Sequence, residues 1–103
     1  MGVRIDMDRE AVAEFCRRWK IRELSFFGSI LRDDFDEDSD VDVLVEFDPE
    51  AEPSLFDHMD MEEELSRILG RQVDLLTRRA VEDSTNEVRK RAILASAEPF
   101  HVA

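Results

Sequence analysis

Cysteine is nearly absent from this 103-residue sequence. Cys16 stands alone, so no internal disulfide can form, and its place among apolar residues at helical spacing makes it a reduced core residue of a cytoplasmic protein. No apolar run approaches the length needed to cross a bilayer, and the charged stretch from Met1 to Asp8 lacks the apolar segment of a signal peptide. A soluble, unexported protein with no membrane contact is therefore expected. Positive charge is scarce as well: 14 Lys and Arg face 26 Asp and Glu, a formal charge of −12 that repels a phosphate backbone and argues against direct nucleic-acid binding. The two histidines, His58 and His101, lie in unremarkable surroundings, so both are expected at the surface and no histidine acid or base is expected. The length suits one domain with its own core and is too short for two, so residues 1–103 are expected to form a single domain.

What is present is well patterned. Val12, Phe15, Cys16 and Trp19 share a helical face, predicting a helix over 8–20. Leu24 to Phe27 predicts a short strand that stops at Gly28, where the missing side chain permits a tight turn or the close approach of a ligand. Ile30 to Arg32 predicts a helical turn whose N–H groups would face whatever lies over Gly28 and Ser29. Val41 to Phe47 alternates as a strand, with Val41, Val43 and Val45 on one side and Asp42, Leu44 and Glu46 on the other. Ser54 with Asp57 reads as a capping box that opens a helix over 54–69, closed by Gly70. Gln72 to Leu76 predicts a strand carrying Asp74, and Ser84 with Glu87 predicts a capping box for a last helix with Val88, Ala92 and Ala95 on its apolar face. Pro99 ends that helix and leaves Phe100 to Val102 as a possible strand. The cysteine, tryptophan, phenylalanine and methionine side chains are expected in the core. This order predicts an α/β fold, a small mixed β-sheet flanked by helices.

The chemistry gathers at a few positions. Asp33, Asp34, Asp36, Glu37 and Asp38 read as a solvated acidic loop. Asp34, Asp36 and Asp38 alternate as a calcium loop begins, but Ser39 and Val45 stand where its glycine and closing glutamate belong. Asp40 and Asp42 differ, because they alternate with apolar residues, where an unpaired carboxylate is costly without a cation. Two carboxylates on one strand face, with a third from Asp74 on a neighbouring strand, could grip hard ions such as Mg²⁺, and Gly28 with Ser29 offers bare amides and a hydroxyl to phosphates. Asp74 could instead be a strand-edge carboxylate pairing with Arg71 or Arg78. Arg78, Arg79, Arg89, Lys90 and Arg91 read as solvated surface.

Gly28-Ser29, ten intervening residues and Asp40-Val41-Asp42 resemble the Gly-Ser-x10-Asp-x-Asp signature of the nucleotidyltransferase superfamily that includes DNA polymerase beta. The short length, Ser39 before Asp40, and Val73-Asp74-Leu75 resemble its minimal nucleotidyltransferase branch. The resemblance implies a polymerase beta-like fold and two Mg²⁺ ions held by Asp40 and Asp42. It also implies that Asp74 holds one of them and helps to activate the incoming hydroxyl, and that Gly28 and Ser29 bind the phosphates of ATP. Arg32 stands where many such proteins carry an arginine, and Ser39 joins the expected nucleotide contacts. Ile30 departs from a frequent polar or basic residue, and Asp33 from a frequent glycine; neither change removes a metal ligand.

Proteins of this branch are typically encoded with a HEPN-domain partner, a ribonuclease toxin that some neutralise by moving AMP from ATP to a tyrosine on it. The resemblance therefore implies an adenylyltransferase antitoxin in a homo- or hetero-oligomer. Two other readings stand beside it: a binding module that neutralises its partner by occlusion, and a small-molecule nucleotidyltransferase, for which the chain lacks an acceptor-holding domain.

Overall fold

The computed structural model describes residues 8–28, 40–51 and 53–102. Helix α1 (Arg9–Arg18) starts at Asp8, whose carboxylate accepts from the N–H groups of Glu10 and Ala11 at 3.0 and 3.2 Å. It ends earlier than the pattern predicts, because Trp19 caps it and Lys20 turns the chain with a φ of 57°. Strand β1 (Ile21–Phe27) follows that turn and is three residues longer at its start than the predicted strand. Strand β2 (Val41–Phe47) has the predicted bounds. Helix α2 (Leu55–Leu69) has the expected capping box between Ser54 and Asp57 and closes at Gly70, whose φ of 68° suits a residue without a side chain. Strand β3 (Val73–Thr77) follows.

A short helix, α3 (Arg78–Glu82), was not expected; Thr77 caps it by accepting from the Ala80 N–H at 3.2 Å. The cap of α4 (Glu87–Ser96) is also not the expected pair. Asn86 accepts from the Arg89 N–H at 3.1 Å, while Ser84 accepts from Asn86 and only sets up the cap. Packing against Phe27, Leu44 and Val81 turns the helix so that Ile93 is buried and Leu94 packs inward, leaving Val88 82% exposed and Ala92 and Ala95 in solvent. Strand β4 (Glu98–Val102) includes Pro99 rather than starting after it, which an edge strand tolerates.

Among the described residues the strands form one mixed sheet in the order β3-β2-β1-β4, with β1 antiparallel to both β2 and β4, and β2 parallel to β3. Helix α2 makes the crossover that a parallel pair requires. The period of two then sorts each strand. Val41, Val43, Val45, Val73, Leu75, Leu24 and Phe26 form one core with Val12 and Phe15 of α1 and Met61 and Leu65 of α2. On the opposite face, Phe27 and Leu44 meet Val81 of α3 and Ile93 of α4 in a smaller cluster. Each fully buried side chain of this kind contributes roughly 1.5–3 kcal/mol.

Phe100 of β4 meets the Phe26 ring edge-on at 5.2 Å, and the Arg9 guanidinium lies 4.5 Å from the Phe100 ring centre, tying the last strand to the first helix. A second tie joins α1 to α2. The Trp19 indole donates to Glu64 at 2.7 Å and Arg18 pairs with the same carboxylate, so that, although burial pulls the other way, these partners hold Glu64 below its ordinary value. Burial pushes the Cys16 thiol up to about 12 against the opposing charge of Arg17, leaving it un-ionised at neutral pH. Phe56 and Met59 depart from the expected core: they stand with Leu55 in solvent on the first turns of α2, Phe56 being 77% exposed. His58 and His101 are half-buried rather than fully at the surface. No helix among the described residues is long and apolar enough to cross a membrane.

Candidate active site

The end of β1 and the start of β2 are brought side by side by their antiparallel register, in which Phe27 stands opposite Asp42. Gly28 follows with a φ of 76°, a left-handed conformation that L side chains rarely adopt. Glycine is required there for a second reason. A Cβ at position 28 would collide with Oδ2 of Asp42 and lie 3.2 Å from its Cγ, so the Asp42 carboxylate rests against the bare backbone of the bend.

Across the parallel ladder Asp42 stands opposite Asp74, flanked by the pairs Val41 with Val73 and Val43 with Leu75. Side chains opposite one another in register share a face, so both carboxylates belong to the face of Leu44 and Leu76, away from the main core. Asp42 is half-buried and Asp74 exposed. Asp40 is exposed, one residue ahead of β2 and two from Asp42. The Val41 N–H donates to the Gln72 carbonyl at 2.9 Å and fastens the two strands at this end.

Two carboxylates on neighbouring strands, about 5 Å apart at the backbone, repel by on the order of 1 kcal/mol in water and by more where the dielectric falls. A divalent cation reverses the sign of that interaction, and carboxylate oxygens are the donors that Mg²⁺ takes. The donor chemistry and the side-chain-free backbone at Gly28 thus fit a metal-bound phosphate group. Among the described residues, no group of three or more acidic, histidine or cysteine side chains is gathered tightly enough to hold an ion by itself. Asp42 with Asp74 is the pair that the ladder brings together. Ser29, Arg32 and Ser39, together with the turn predicted over 30–32, lie outside the described residues.

Sequence reasoning missed two neighbours of the site. Ser66 Oγ accepts from the Val73 N–H at 3.1 Å, and Glu62 Oε2 accepts from the Leu75 N–H at 3.0 Å, one on either side of Asp74. Their only signal is a pair of polar residues four apart, beside the apolar stripe of Met61, Leu65 and Leu69.

A cleft of about 690 Å³ opens at the other end of β2 and β3, where Asp48, Thr77, Arg78 and Arg79 line it. It mixes both charges, with Arg78 paired to Glu82 at 3.4 Å, and includes none of the expected site residues. Size alone does not make it the reacting centre, since the opposed carboxylates lie elsewhere.

Residues 8–97 match the nucleotidyltransferase domain family. The protein adenylyltransferase MntA of Thermococcus cleftensis is 46% identical over 63 residues, which are 61% of this chain and 62% of that protein. The match therefore spans less than two thirds of the length of that curated relative. Among solved structures, one assigned as a minimal nucleotidyltransferase is 33% identical, with a TM-score of 0.68 over 89% of this chain and 88% of the other. An MNT antitoxin complex with a tri-AMPylated HEPN toxin of Shewanella oneidensis shares the fold, at 18% identity and a TM-score of 0.64 over 92% of this chain and 70% of that one.

Proposed function

The chain belongs to the nucleotidyltransferase domain family, and from that premise we propose that it moves AMP from ATP to a hydroxyl of a partner HEPN toxin and serves as the antitoxin of the pair. The observation that carries this reading is the placement of Asp42 opposite Asp74, with the Asp42 carboxylate resting on the glycine bend. Asp40 and Asp42 would hold two Mg²⁺ ions, with Asp74 on one of them. Bound there, the ions neutralise the triphosphate and stabilise the attacking and leaving oxygens.

The chain's own groups do the rest. The backbone at Gly28, with Ser29, cradles the phosphates; Arg32 and Ser39 complete the nucleotide contacts. Asp74 orients the acceptor hydroxyl and takes its proton as the oxygen bonds to the α-phosphorus. The bond from that phosphorus to the bridging oxygen breaks, and pyrophosphate leaves.

Three features of the chain support a separate protein acceptor. Its 103 residues contain no tyrosine, so a tyrosine acceptor lies outside them. Its charge of −12 suits a basic partner and repels a nucleic acid. Leu55, Phe56 and Met59 present an exposed apolar patch on a helix already fixed at both ends, the kind of surface a partner covers. A lone, buried, free cysteine agrees with the cytoplasmic setting proposed for such an enzyme.

The test is transfer of label from α-labelled ATP to a purified HEPN partner with Mg²⁺ present. Asp42→Ala should lower transfer at least about a thousandfold, the scale of several kcal/mol of lost charge stabilisation, with an unchanged far-ultraviolet spectrum. Equal labelling by the variant would refute the reading. The same apolar patch supports a second reading, neutralisation by occlusion alone. Inhibition of the partner in a one-to-one complex, without calorimetric binding of ATP and Mg²⁺, would favour it.

A further inference from the structure

Glu62 and Ser66 of α2 have no part in the scheme above, yet they hold the strand that carries Asp74. Among the described residues β3 is an edge strand, joined on one side to β2. Alternate N–H groups of an edge strand face away from the sheet and must find other partners. Those of Val73 and Leu75 find them in α2, at Ser66 Oγ and Glu62 Oε2. The Ser66 hydroxyl donates in turn to the Glu62 carbonyl at 2.7 Å, and the Ser66 carbonyl receives the N–H groups of Gly70 and Arg71. One residue thus ties the end of α2, the turn after it and the first residue of β3. The helix edge acts as a side-chain ladder that fixes how far β3 slides along β2.

We propose that Glu62 and Ser66 are positioning residues that hold Asp74 opposite Asp42, so that the two carboxylates share a divalent cation. The inference rests on the nucleotidyl-transfer reading. Its physical basis is the period of two: a slip of one residue carries Asp74 to the far face, and a smaller shift opens the gap between the carboxylates. Ser66 and Glu62 act through the backbone on either side of Asp74.

The test measures Mn²⁺ binding to the full chain by electron paramagnetic resonance at low temperature, with amide exchange at Val73 and Leu75 recorded in parallel. Glu62→Met and Ser66→Ala should each weaken Mn²⁺ binding roughly tenfold or more, the usual cost of losing an outer partner of a metal ligand, and should speed exchange at Leu75 and Val73 respectively. Glu62→Gln keeps an acceptor oxygen and should stay within about threefold of wild type, since a carbonyl oxygen can still accept the N–H. Ser66→Ala keeps the test decisive if Glu62→Met does not fold. Lower melting temperatures with unchanged Mn²⁺ affinity would overturn the positioning role and leave the enzymatic reading intact. So would Glu62→Gln binding as weakly as Glu62→Met, since charge rather than the hydrogen bond would then matter. Asp74→Asn serves as the control on the reading itself: if it bound Mn²⁺ as well as wild type, the carboxylate pair and the role of its supports would fall together.

Discussion

On one face of the sheet Val41, Val43, Val45, Val73 and Leu75 are sealed beneath α1 and α2, while on the other Phe27 and Leu44 share a thinner cover with Val81 and Ile93. Asp42 and Asp74 belong to the thinner face, at the end where the Asp42 carboxylate packs against the bend at Gly28. The same strands serve both faces, odd positions of β2 and β3 building the core and even positions carrying the carboxylates. Stability and the proposed chemistry are thereby assigned to opposite faces of a single sheet. A charge that would be ruinous one residue away is tolerable here, because its face is half-open to water.

That separation can be broken from either side. Phe26→Ala, on the sealed face, should cost about 3–5 kcal/mol in urea unfolding while the protein that remains folded transfers AMP at close to the wild-type rate. A parallel collapse in the rate of the folded fraction would show that the two faces are coupled. Gly28→Ala tests the opposite side. It should cost only about 1–2 kcal/mol of stability for a left-handed alanine, yet reduce transfer about a hundredfold, because the new Cβ displaces the Asp42 carboxylate. Retained transfer would mean that the contact between the bend and Asp42 is dispensable.

The smallest effect belongs to the α1–α2 tie. Glu64 has a lowered value in the folded protein, so its contribution is fully present above its ordinary value of 4.5 and fades as pH falls below that and through the folded value. Glu64→Gln should therefore be less stable than wild type at neutral pH by no more than about 1 kcal/mol, with the gap closing in acid. Parallel stability curves for the two proteins across that range would show that the carboxylate charge has no part in the tie.

Local patterns in the sequence predicted much of this arrangement. The alternation of Val41, Val43 and Val45 gave β2 its bounds, and Ser54, Asp57 and Gly70 marked both ends of α2, because capping and period act within a few residues. The face of α4 was not legible. Val88, Ala92 and Ala95 form an apolar stripe as good as Ile93 and Leu94, and the cap at Asn86, with packing on Leu44 and Phe27, decided between them. The spacing from Gly28 to Asp40 and Asp42 suggested a bend beside a carboxylate pair, whereas the partnership of Asp42 with Asp74 depends on the register of two strands joined through a fifteen-residue helix. Glu62 and Ser66 were hidden, because their partners are backbone groups of a distant strand, which no side-chain pattern announces. Ser29, Arg32 and Ser39 stay with the signature that suggested them, outside the described residues.

The two margins of the sheet are finished in different ways, and this limits how another molecule can join it. Along β3 the outward amides at Val73 and Leu75 are already occupied, and along β4 Pro99 offers no amide and lies where the register shifts. Among the described residues, a visiting polypeptide meets two amides already bonded along β3 and one position without an amide along β4. Both features blunt backbone pairing at the margins of the described sheet, one of the ways in which edge strands resist the stacking of copies.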